Sequence, residues 1–118
     1  MDDNAIDEAV AAHEGRNASL RRLFLEKQIA LDLPSKIDLH FWVWGPANAS
    51  AVAESLRTLN LEVPMLRPAG IQNDPERWNI EASVRQSIDL TMRREFITDL
   101  VRLAHAHGGV FDGWGTSV

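Results

Sequence analysis

From Ile37 to Trp44 the chain alternates apolar and polar residues one by one, and from Trp78 to Arg85 it does so again. Ile37, Leu39, Phe41 and Val43 fall on one side of the first run, with Asp38, His40, Trp42 and Trp44 on the other. In the second run Trp78, Ile80, Ala82 and Val84 oppose Asn79, Glu81, Ser83 and Arg85. A period of two is what a half-buried strand requires, because successive side chains point to opposite faces of a sheet. Two such strands exclude a helical bundle. They demand a sheet with one face covered and the other different in character.

The segments between them set the rest of the order. Asn17 to about Gln28 reads as a helix with Leu20, Leu23 and Phe24 on one stripe, bounded by Gly15 and Pro34. A second helix runs from about Ala47 to Asn60 after the Gly45-Pro46 stop, with Val52, Leu56 and Leu59 at helical spacing and Asn48 or Ser50 as its cap. Leu61 to Arg67 is a weaker strand. Pro64 within it cannot donate to a ladder, which places this strand at a sheet edge. Residues 68–75 are turn-rich and read as a hairpin loop. Asp89 to about His107 is the strongest helix, with Met92, Phe96, Leu100 and Leu103 on one face and Gly108-Gly109 as its stop. Val110 to Val118 closes the chain as a last strand.

After the first helix the order is thus βαββαβ. Two right-handed crossovers of this split type give a four-stranded antiparallel sheet, with both helices on one face and the first and third strands inside. The expected fold is α+β, ferredoxin-like, with an extra N-terminal helix.

Charge sharpens the domain reading. Asp2, Asp3, Asp7, Glu8 and Glu14 account for the whole formal charge of −5, and the rest of the 118 residues is balanced. Residues 1–14 are therefore expected to be an acidic flexible leader, and residues 15–118 a single domain. With Ile6 and Val10 as its few apolar anchors, deletion of this leader is expected to cost about 1 kcal/mol at most. The acidic start is unlike a signal peptide, and no apolar run approaches the roughly 18 residues of a membrane span. A cytoplasmic protein with no membrane contact is the expectation.

Candidate chemistry is sparse. The chain has no cysteine, which removes disulfides, thiol nucleophiles and Cys-ligated metals. His105 and His107 are two residues apart, which turns them to opposite sides of a helix and away from shared metal ligation. Asp112 has no nucleophile or second carboxylate at a defined spacing and reads as a turn or bulge former before Gly113. Gly113 and Gly115 lie in a strand and make no phosphate loop. No hydrolase, metalloprotease or nucleotide motif is present. No catalytic residue, metal or cofactor is expected, and a small ferredoxin-like enzyme is the weakest of the readings.

The string Phe111-Asp112-Gly113-Trp114-Gly115-Thr116, after a glycine-terminated helix, resembles the closing motif of the regulator of ribonuclease activity B family. The similarity extends through the leading helix, the strand Ile37–Trp44 and the element order, over roughly residues 16–118. The acids of this chain gather at its start, whereas the better-known members carry theirs in a C-terminal extension. The resemblance implies a ferredoxin-like domain that binds an endoribonuclease, ribonuclease E, and restrains RNA decay without catalysing anything.

The residues themselves point to a binding surface. Two tryptophans, Trp42 and Trp44, share a face with His40 and, from the neighbouring strand, Arg85, and Trp and Arg dominate interface hot spots. Either the N-terminal helix covers that face with Leu20, Leu23 and Phe24, or a partner does. His40, Trp42, Trp44, Arg85, Asp112 and Trp114 are the expected partner-binding residues. Trp114 has a second reading as a cap on the core. An RNA-binding module would use sheet aromatics similarly, but RNA binders carry a basic excess that is missing here, so direct nucleic-acid binding is not expected.

Overall fold

The computed structural model describes residues 3–117. Its elements are α1 (Asp3–Glu26), β1 (Pro34–Trp44), α2 (Pro46–Thr58), β2 (Glu62–Pro68), β3 (Arg77–Ser87), a single turn α3 (Ile88–Thr91), α4 (Arg94–His105) and β4 (Val110–Thr116). The four strands form one antiparallel sheet in the order β2-β3-β1-β4. β1 and β3 are inside and β2, with exposed Pro64, is an edge, as the missing proline donor requires. Met1, Asp2 and Val118 lie outside the described residues.

The two alternating runs pair with one another over their full length, Ile37 opposite Val84 and Phe41 opposite Ile80. Ile37, Leu39, Phe41, Val43, Ile80 and Ala82 are buried under α2 and α4. Helix α2 starts at Pro46, behind a Gly45 N-cap with φ 90°, so neither Asn48 nor Ser50 caps it. Asn48 instead donates from Nδ2 to the Trp44 carbonyl at 3.0 Å. The helix expected over Asp89–His107 is two. Ser87 caps α3 through its hydroxyl, which accepts the Leu90 N–H at 3.1 Å, and extended backbone at Arg93 restarts the chain into α4. The buried face of α4 is Ile97, Leu100, Val101 and Ala104, leaving Phe96 and Leu103 half-buried at its margin.

The largest departure from expectation is the N-terminus. α1 does not begin near Asn17 but runs unbroken from Asp3 to Glu26, through Gly15. The segment read as a flexible acidic leader is half of a packed helix. Its stripe is Ile6, Val10, His13, Asn17, Leu20 and Phe24, spaced four and three residues apart in turn, and the acids lie outside it. This stripe packs against α4 and the outer edge of β4. Glu14 pairs with Arg94 on α4, and Arg21 pairs with Asp89 on α3 at 2.9 Å. The glycine is tolerated because tertiary contacts on both sides of it outweigh its propensity cost of about 1 kcal/mol.

β4 is shaped to receive this helix. His40 pairs with Gly113 while Phe41 pairs with Phe111, so Asp112 is the extra residue of a β-bulge. Three residues apart, Phe111 and Trp114 would face opposite sides of a regular strand. The bulge turns both into the core, where Phe111 meets Phe41 at a ring distance of 5.1 Å and Trp114 meets Phe24 at 6.4 Å. Trp114 is 3% exposed and donates its indole N–H to Asn17 Oδ1 at 2.8 Å. Arg16 donates to the Trp114 carbonyl at 3.2 Å, its guanidinium filling the space a Cβ at Gly113 would occupy. His13 Nε2 lies 3.0 Å from the Phe111 carbonyl, with its ring tilted over Phe111 at 4.7 Å.

Three consequences are measurable. Trp114→Ala removes a buried ring and orphans Asn17, and should cost about 3–5 kcal/mol in urea unfolding. Deletion of residues 1–14 should cost far more than a flexible leader would, and Ile6→Ala alone about 2 kcal/mol. The third concerns pH. Desolvation pushes the His13 pKa below its ordinary value of 6.5, against the Phe111 carbonyl and Asp112, which raise it; Arg16 lowers it further. The folded protein thus resists a proton that the unfolded chain accepts. The contribution of His13 is complete above pH 6.5 and is lost as pH falls through the depressed folded value. Urea midpoints between pH 7.5 and 5.5 should fall less steeply for His13→Gln than for the parent.

Candidate functional site

The face of the sheet opposite the helices is built by the polar members of the two alternating runs. β1 contributes Lys36, Asp38, His40, Trp42 and Trp44, and β3 contributes Arg77, Asn79, Glu81, Ser83 and Arg85. Met65 and Arg67 extend it on β2, and Val110 on β4. Because α1 satisfies its stripe at the β4 edge, no helix among the described residues lies over this face. The first of the two expectations, a covering N-terminal helix, is not what the packing chose.

Its aromatic end is ordered by polar contacts. The Arg77 guanidinium stacks on the Trp42 ring, 3.4 Å from the ring centroid, an arrangement that holds cation and indole in register. Trp44 is 37% exposed and donates its indole N–H to both carboxylate oxygens of Asp74, at 3.0 and 3.1 Å. Val110 stands opposite Trp42 and is exposed. In the middle of the face His40 stands opposite Glu81, and Asp38 opposite Ser83. At the far end Arg85 stands opposite Lys36.

The expected site residues therefore divide. His40, Trp42, Trp44 and Arg85 share this face. Asp112 does not join them. It is exposed at the bulge of β4, near enough to His13 to raise its proton affinity. Trp114 is on the covered side, and its burial against α1 replaces the reading of an edge tryptophan turned toward a partner. The bulge is the reason: one extra residue in β4 reverses the side on which Trp114 would otherwise lie. Arg77 and Asn79 were missed, although both continue the alternation Arg77-Asn79-Glu81-Ser83 that already marked β3.

Oδ1 of Asp38, Nε of Arg77 and Oδ1 of Asn79 are covered by neighbouring side chains and make no hydrogen bond. Buried polar atoms are seldom left so, and these three all belong to residues of this one face. Among the described residues no group of three or more His, Asp or Glu side chains could hold a metal ion, and no helix is long and apolar enough to cross a membrane.

No curated protein matches the chain significantly. A family profile does, over residues 16–116, a span that begins at Arg16 in α1 and ends with β4, so that it takes in the whole sheet, the helices that cover it and the contact between α1 and Trp114. By that match the chain belongs to the family of the regulator of ribonuclease activity B.

Proposed function

We propose that this chain is a non-catalytic, cytoplasmic regulator that binds an endoribonuclease, ribonuclease E, through the open sheet face and restrains RNA decay. The observation that carries this reading is the uncovered face itself, where Trp42, Trp44 and the stacked Arg77 stand together at one end. Solvent-facing tryptophans held by cation–π and hydrogen-bond contacts are costly to leave bare, and they are the side chains that dominate binding energy at interfaces. Their rigidity favours the role, since anchors already ordered lose little entropy on binding. His40 and Arg85 extend the contact surface along the sheet.

We read the fold as ferredoxin-like. Two β-α-β units with β1 and β3 side by side between β2 and β4 support this, and such a sheet presents one whole face when its helices gather on the other. Trp114 and Asp112 act from behind the face, by fixing β4 and α1. Family membership supports a ribonuclease as partner. Lys36, Arg67, Arg77 and Arg85 are interleaved on the face with Asp38, Glu62 and Glu81, a mixture that suits a protein surface better than a polyanion.

Binding of the full chain to purified ribonuclease E, followed calorimetrically, tests the proposal. Trp44→Ala should weaken binding about thirtyfold or more, the loss expected of a hot spot, with a melting shift of a few degrees at most. Unchanged affinity in Trp44→Ala and in a Trp42→Ala, Trp44→Ala double variant would overturn it. Salt-sensitive, submicromolar binding of single-stranded RNA that needs the same tryptophans would favour an RNA module instead.

A further inference from the structure

Along the open face the register of β1 and β3 sets compatible side chains opposite one another, with one exception. His40 meets Glu81, Asp38 meets Ser83 and Trp44 meets Arg77, but Lys36 meets Arg85. Like charges directly opposite on one face of an antiparallel pair destabilise it, since their Cβ atoms stand only about 5 Å apart. The neighbours do little to relieve them. Lys36 reaches Asp38 only at 3.9 Å, and among the described residues no acid lies within ion-pairing distance of Arg85. Beside the pair is an open cleft of about 360 Å³, lined by Lys36, Asn60, Glu62, Ser83, Val84 and Arg85.

We infer that this cleft receives the carboxylate of an acidic side chain presented by the protein partner, an inference that rests on the docking reading above. Two cations facing one another across a strand pair are spaced so that a single carboxylate can accept from both, and its charge converts their repulsion into attraction. Asn60 and Ser83, the latter 7% exposed, supply further polar groups in the wall. Glu62 in the same lining, with Asp38 and Glu81 further along the face, selects against a chain of phosphates, which would have to pass over them. A single acid held between Lys36 and Arg85 meets Glu62 with two cations to offset it, and does not extend along the face to Glu81. The cleft and the tryptophan end then mark two ends of one footprint, from Lys36 to Trp44, about 27 Å along β1.

The test uses the full chain with Lys36→Gln, Arg85→Gln and the double variant. Each should keep or slightly raise the melting temperature, because removing either charge relieves the repulsion. Each single variant should weaken binding to ribonuclease E about tenfold, and the double variant should flatten its salt dependence. In ¹H–¹⁵N spectra N-acetyl-aspartyl amide should shift the signals of Lys36, Ser83 and Arg85, and should not do so in the double variant. Affinity unchanged in the Lys36→Gln, Arg85→Gln double variant, while Trp44→Ala still weakens binding about thirtyfold or more, overturns the cleft and leaves the docking face standing. Loss of neither overturns both. Larger shifts at these residues with a single-stranded RNA oligonucleotide than with the capped aspartate overturn the assignment in favour of RNA.

Discussion

The hydrogen bond from the Trp114 indole to Asn17 Oδ1, 2.8 Å long and buried, decides where α1 lies, and much of the molecule follows from that position. The stripe of α1 is apolar at both ends and polar in the middle, where His13 and Asn17 sit. Apolar contacts alone would let such a helix slide or pack on the other face of the sheet. Its polar middle fits only where β4 offers the Phe111 carbonyl to His13 and the Trp114 indole to Asn17. The arrangement is not free of cost, because Asn17 Nδ2 remains buried without a partner. What it supplies is a unique docking site for the helix.

The glycines and the aspartate of the closing strand serve the same contact. The bulge at Asp112 brings Phe111 and Trp114 to one side, and Gly113, at φ 144°, leaves the space that the Arg16 guanidinium fills. His13 and Arg16 bond carbonyls of β4, an edge strand that would otherwise present them to another chain. At the opposite edge Pro64 interrupts the donor row of β2. Both edges are thus blunted against strand addition, and the broad surface left uncovered is the open face of the sheet.

That face is graded along its length. It runs from a repelling cation pair at Lys36 and Arg85, through a middle holding Asp38, His40 and Glu81, to the aromatic end with Trp42, Arg77 and Trp44. A polyanion meets both signs of charge within a few residues. A protein surface with its own alternating charges can match them in register, and register of this kind gives specificity more than affinity. The fold can hold the face bare because β1 and β3 pair along their whole length and are anchored from behind by the core.

The sequence alone determined the elements whose signal is local. The alternation of Ile37–Trp44 and Trp78–Arg85 specifies two half-buried strands and the sides their residues take, since a one-residue slip would expose every core side chain. Pro64 fixed an edge because a missing N–H is a property of the residue. His40, Trp42, Trp44 and Arg85 were legible as one face for the same reason of periodicity. Only the tertiary structure decided the rest. His13 and Asn17 disguised the stripe of α1, because a polar residue reads as solvent-facing until its buried partner is known, and that partner lies 97 residues away. A bulge at Asp112 was legible from the Asp-Gly pair, and Trp114 was readable as a core cap. The choice between core and edge needed the register against β1, since one inserted residue inverts every later position in a strand. Whether α1 covered the open face or left it bare rested on those two contacts, which join the ends of the chain and leave no mark in either end alone.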